Sequence, residues 1–334
     1  MCRKRYEEEA ANMFRKVTAA ILAVMIILTL AACGDPAFPG KQGGQNTPGQ
    51  GDGNTQPPAN NEKGEQSYAG AYTRSKKIID KLTEKLEAII TPYNEKRELE
   101  DEDYNILNGD YIGGSLAPFF SIDRAFTATF NENCTQTENM AGIELALSFF
   151  GAENIKLVKN AANDYTLTFT VKDDEDGAAD MRMDCKWDPA TDAMRYVARQ
   201  TENGTTETSD YFEYIALGGG AYALQSRTER AYVKMDGDKL TEFVYTISKN
   251  DTESGGIEAD TRLYDVDADS VFGKNAGIDK EWAKGDREDI GEIYIFDGTI
   301  LTVERCVAQY EGTSGEYTAR EWVWKDIVTI TPEN

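Results

Sequence analysis

From about Ile155 to Thr331, apolar and β-branched residues recur on alternate positions, broken at fairly even spacing by pairs of turn formers. A chain patterned with period two buries one face only by becoming strands, so this half of the protein is committed to a sheet. The turn formers say which kind. Asp188-Pro189, Asn203-Gly204, Asp236-Gly237 and Asp297-Gly298 each separate two β-rich runs, and Asn-Gly or Asp-Gly supplies the positive φ that a tight hairpin demands. Asp173, Asp174 and Asp176 read as part of a further hairpin turn. The pattern predicts strands over 165–171, 181–185, 194–200, 208–217, 222–235, 240–248, 290–296, 299–310 and 317–331. Hairpin following hairpin is an antiparallel meander, and so many strands must curl, close or split to limit exposed edges. Gly218-Gly219-Gly220 lies between two predicted strands, where it marks a turn or a close backbone approach.

Before the sheet the period is helical. Ile78, Ile79, Leu82, Leu86, Ile89 and Ile90 fall on one face, and Pro92 sets the expected end of a helix over 73–90. Segments 121–130 and 137–151 also read as helices, with the acidic stretch Glu98 to Asp103 as a solvated loop. The expected fold class is therefore α+β: N-terminal helices packed on a large, curved antiparallel β-meander, an open barrel or half-barrel. One domain over 67–334 holds it, mainly helical over 67–154 and sheet over 155–331.

Residues 1–66 have a different character. Val17 to Ala32 carries no charge and follows Arg15-Lys16, which reads as a secretory signal with Met13 as its natural start. The run is shorter than the roughly 20 residues of a spanning helix. Its end, Leu30-Ala31-Ala32-Cys33, resembles the lipobox of bacterial lipoproteins. That resemblance covers only about residues 13–33 and implies cleavage before Cys33, with diacylglycerol joined to its thiol. Cys33 is then the first residue of a chain held on the outer face of the cell membrane. Gly34 to Gln66 contains eight Gly and five of the nine Pro, a composition unable to bury enough surface to fold. As a coil it reaches about 30 Å, so it reads as a tether.

Five basic and three acidic residues lie in the first 33, which leaves 30 basic against 56 acidic beyond them, a net of −26. Such a surface repels phosphate backbones, so no nucleic-acid partner is expected. The chain contains no histidine, which removes Ser-His-Asp, Cys-His and His-zinc chemistry and leaves acid–base work to Asp, Glu, Lys, Tyr or Cys.

Asp265, Asp267 and Asp269 stand on alternate positions, and their spacing resembles the opening of an EF-hand calcium loop, with calcium as the implied ligand. Ser270 replaces the wanted glycine and Ala276 the closing glutamate; the alternative is a polar connector. Trp322 and Trp324 flank Val323 in a predicted strand, so both indoles emerge on one face. They form either a platform for sugar rings and other flat ligands or ordinary core. Cys134, Cys185 and Cys306 remain once Cys2 and Cys33 are set aside, an odd number, and Cys185 reads as a buried thiol. No catalytic set stands out. The leading expectation is a membrane-anchored, non-catalytic protein that binds an envelope component, a glycan, a peptide or a lipid. The alternatives are a surface carbohydrate hydrolase working through Asp and Glu, and a carrier of lipid or another apolar ligand.

Overall fold

The computed structural model describes residues 68–96, 140–148, 151–173, 177–249, 262–274, 276–313 and 316–332. The signal segment, Cys33, the tether, the helix expected over 121–130 and Cys134 lie outside the described residues.

Eleven strands form one antiparallel sheet in which spatial order follows chain order. They are β1 (Ala152–Ala161), β2 (Asp164–Asp173), β3 (Gly177–Asp188), β4 (Ala193–Glu202), β5 (Thr205–Gly218) and β6 (Ala221–Ser226). The series continues with β7 (Glu229–Asp236), β8 (Lys239–Ser248), β9 (Ile290–Phe296), β10 (Leu301–Thr313) and β11 (Glu316–Ile330). The sheet is open, with β1 and β11 at its edges. The meander is thus what the hairpin rhythm predicts. The predicted single strand over 222–235 is corrected to two, β6 and β7, joined at Arg227 and Thr228. The turn signal at that break is weak, a single Ser226 whose Oγ accepts from Thr228 N at 3.4 Å, and tertiary bonds reinforce it. The Arg227 carbonyl accepts from Tyr264 N at 2.7 Å and the Thr228 carbonyl from Ser248 N at 2.7 Å.

Helix α1 (Tyr68–Lys96) passes through Pro92, where the sequence predicts a stop. Proline forfeits one intrahelical bond. Tyr93, packed against the apolar cluster, offsets that loss and carries the helix onward. Ile78, Ile79, Leu82, Leu86, Ile89 and Ile90 are all buried and share one cluster with Leu167, Met183, Tyr196, Phe243 and Tyr294. Each such aliphatic contributes about 2 kcal/mol before ordering costs. The Arg74 guanidinium fixes the helix by bonding both oxygens of Asp192, which also accepts from Trp187 Nε1 at 2.9 Å. Helix α2 (Met140–Ser148) adds Met140, Ile143 and Leu147 to the cluster.

Strand β7 illustrates the two faces of the sheet. Its buried Glu229, Ala231, Val233 and Met235 alternate with the half-buried Arg230, Tyr232 and Lys234. On the face opposite α1, the connection between β8 and β9 lies across the strands. Glu213, fully buried on β5, anchors it by accepting from Ser270 Oγ at 2.5 Å and Val271 N at 2.7 Å. Burial pushes this carboxyl above its usual range, and the two bonds pull it back. Short helix α3 (Lys280–Lys284) in the same connection delivers the Ala283 carbonyl to Thr246 Oγ1 at 2.9 Å. Among the described residues, no helix is long and apolar enough to cross a membrane.

Candidate functional site

β9 pairs with β10 only between Leu301 and Arg305; beyond that, β10 and β11 continue as a two-stranded ribbon. On the ribbon face that continues the α3 side of the sheet, Cys306 stands opposite Trp324 and Ala308 opposite Trp322. A small residue across from each indole leaves room for the ring to lie over the ribbon. Both tryptophans are half-buried, and Trp324 also packs against the cluster of Val244, Tyr264 and Ile293. They are therefore neither a bare platform nor closed core.

What they line is a cleft of about 620 Å³, completed by Lys249, Arg262, Arg287, Glu288, Asp289 and Cys306. Backbone bonds hold its floor: Lys249 N donates to the Asp289 carbonyl and Arg262 N to the Lys249 carbonyl, each at 2.8 Å. Gly291 permits this approach, since a Cβ there would lie 3.1 Å from the Ser248 carbonyl oxygen and 3.2 Å from Lys249 Cα. The Lys249 side chain is buried and donates to the Glu288 carbonyl at 2.6 Å.

Cations lie over both indoles. Lys249 Nζ is 4.7 Å from the Trp322 ring centre, Arg320 is 5.5 Å from that same ring, and Arg287 is 4.7 Å from the Trp324 ring centre. These distances are within reach of the ring quadrupole, so charge and ring hold each other in place. Arg262 pairs through Nε with Asp289 at 2.8 Å, and Arg287 pairs with Glu304. The side chains of Arg262 and Arg287 remain 62% and 63% exposed, which leaves guanidinium edges open to solvent. Of the charged side chains lining the cleft, three are cationic and two anionic, in a protein of net charge −24.

The sequence singled out Trp322 and Trp324 through their i, i+2 spacing. It missed Lys249, Arg262 and Arg287, whose neighbours in sequence carry no periodic signal. They meet the ribbon only because β8, β9 and β10 are adjacent in the sheet.

The three aspartates are placed elsewhere, in the loop over β5 to β7. Asp265 Oδ1 accepts from Asp267 N at 2.7 Å and Ala268 N at 2.8 Å, while Asp269 Oδ2 accepts from Asp265 N at 2.8 Å. Asp269 also faces Arg230 at 3.5 Å, and Asp267 faces Arg199 at 3.8 Å. The bonds to Asp265 hold its carboxyl below the usual range. Each of the three carboxylates is thus engaged by a backbone N–H or an arginine, and no set of three metal-ligating side chains converges among the described residues.

A second acidic group sits inside the α1 face. Glu229 is buried and accepts from Tyr245 Oη at 2.6 Å and Ser226 Oγ at 3.3 Å. Burial pushes its carboxyl up to about 7, and the charge of Asp210 adds to the shift. Burial likewise lifts Asp210 to about 6, against the bond from Tyr211 N. Sequence reasoning missed this pair, since Glu229 falls in a polar stretch of the strand predicted over 222–235 and nothing in the sequence says that it points inward. Cys185 and Cys306 are both buried.

The chain matches no protein-family model, and comparison with curated proteins and with solved structures yields no match either.

Proposed function

We propose that this protein is a lipid-anchored, extracytoplasmic binding protein whose ligand seats in the cleft between the β10–β11 ribbon and the Lys249 and Arg287 loops. In this reading, residues 1–32 direct export, Cys33 carries the acyl chains, and residues 33–66 are the tether. The body is an α+β domain whose helices pack on a curved half-barrel. The observation that carries the binding reading is the cleft itself. Its volume falls within the roughly 300–1,000 Å³ usual for small-molecule sites, and aromatic rings, cations and carboxylates converge there. By contrast, Glu229 is enclosed by hydroxyl partners within the core.

The test is a thermal screen of the mature chain against glycans, lipids, peptides and calcium. A ligand at a hundred times its Kd stabilises the folded state by about 2.7 kcal/mol. For a domain of this size that is a midpoint rise of roughly 5–10 °C. Trp324→Ala is expected to abolish the rise. A rise that survives this substitution places the ligand elsewhere, and no rise in any class defeats the binding reading.

A further inference from the structure

We infer that the cleft is built for a sugar ring bearing one carboxylate, an acidic glycan unit of the uronic-acid type. This rests on the binding reading above and adds the ligand class.

A neutral sugar stacks on a bare aromatic face. Here Lys249 and Arg320 lie over Trp322, and Arg287 lies over Trp324. A ligand in the cleft therefore meets indoles that are already paired with cations.

Those cations have capacity to spare. A guanidinium carries five donors. Arg262 engages Asp289 through Nε and Arg287 engages Glu304 through Nη2, and these are their only ion pairs among the described residues. Both side chains can add a forked bond to a carboxylate without releasing the partner they hold.

The lining carboxylates narrow the choice further. Glu288 and Asp289 are acceptors only, so they favour a ligand that also brings donors. An aromatic acid brings a carboxylate but no hydroxyls. A neutral sugar brings hydroxyls but no anion. A uronate ring brings both.

Charge sets the count. Three cations and two anions line the cleft, a net of one positive charge, which a single carboxylate neutralises. A phosphate dianion would leave an excess negative charge in a protein already at −24.

The experiment is isothermal titration of the full mature chain in detergent micelles with galacturonate, a single uronate ring, and with its methyl ester. The ester keeps the ring and removes the charge. Galacturonate is expected to bind at least ten times more tightly than the ester and to weaken several-fold when salt rises from about 0.05 to about 0.5 M, over which the screening length shortens roughly threefold. Arg262→Gln with Arg287→Gln is expected to lose at least tenfold in affinity for galacturonate, with a thermal midpoint lowered by no more than a few degrees. Equal binding of acid and ester overturns the carboxylate inference and leaves the binding reading standing. The same split follows if neither binds while a peptide or lipid raises the midpoint in the thermal screen. If no class of ligand binds, both fail. The acid-against-ester comparison uses the unsubstituted chain, so it decides the matter even if the double variant does not fold.

Discussion

Glu229→Gln is expected to raise the thermal midpoint at pH 8 by roughly 6–10 °C and to leave it nearly unchanged at pH 4.5. The cause is the buried position of this carboxyl, held by Tyr245 and Ser226 and pushed up to about 7 from its ordinary 4.5. A carboxyl with a raised folded-state value favours folding while it is protonated. That contribution is fully present below about 4.5 and is lost as pH rises through about 7. The difference is worth about 3 kcal/mol at pH 8, where the parent must ionise a buried acid and the amide need not. Both hydroxyl partners can rotate to serve the amide, so the substitution keeps the packing. Differential scanning fluorimetry of both proteins at pH 4.5 and 8 checks it. An offset of the same size at both pH values would show that ionisation of Glu229 is not its origin.

Gly220→Ala is expected to cost about 3 kcal/mol, and Gly219→Ala about 1 kcal/mol, although the two residues are neighbours in one turn. Both have positive φ, +77° at Gly220 and +57° at Gly219, so both pay for a left-handed alanine. They differ in surroundings. A Cβ on Gly220 would lie 2.3 Å from the Met235 carbonyl oxygen, a backbone atom that cannot move aside alone. Met235 N also donates to the Gly220 carbonyl at 2.8 Å, tying the two chains together at that point. At Gly219 the nearest atom is Lys234 Nζ at 3.8 Å, the end of a flexible side chain. Urea denaturation of the two variants separates strain from clash; equal losses would mean that the β5–β6 turn does not approach β7 as closely as described.

The sheet was legible because its signals are local. Side-chain alternation along Gly177–Asp188 or Glu229–Asp236 is a property of each strand by itself, and Asn203-Gly204 or Asp236-Gly237 announces its turn without help from distant residues. Where the turn signal is weak and tertiary bonds complete the turn, as at Arg227 and Thr228, the sequence predicted one strand instead of two. Packing likewise overrode a local stop signal at Pro92, where Tyr93 joins the core. The cleft was half legible for the same reason. Trp322 and Trp324 share a strand face by spacing alone, whereas Lys249, Arg262 and Arg287 reach them through the pairing of three strands. The buried acids left no trace, because a glutamate inside a core and one on a surface turn are written alike. Glu213 and Glu229 are identified only by the hydroxyl and N–H donors that the fold brings to them.

The proposal as a whole depends on where the chain resides, and Leu30-Ala31-Ala32-Cys33 carries that part of it. Two acyl chains at about 0.8 kcal/mol per buried CH₂ hold a protein on a bilayer stably, and without them a chain of net charge −24 has no electrostatic reason to stay on an anionic surface. The most direct measurement is the mass of the amino-terminal peptide from protein purified out of its native membrane. The account predicts a peptide beginning at Cys33 with diacylglycerol on its sulfur. A Cys33 thiol without lipid, or residues 1–32 still attached, would contradict it.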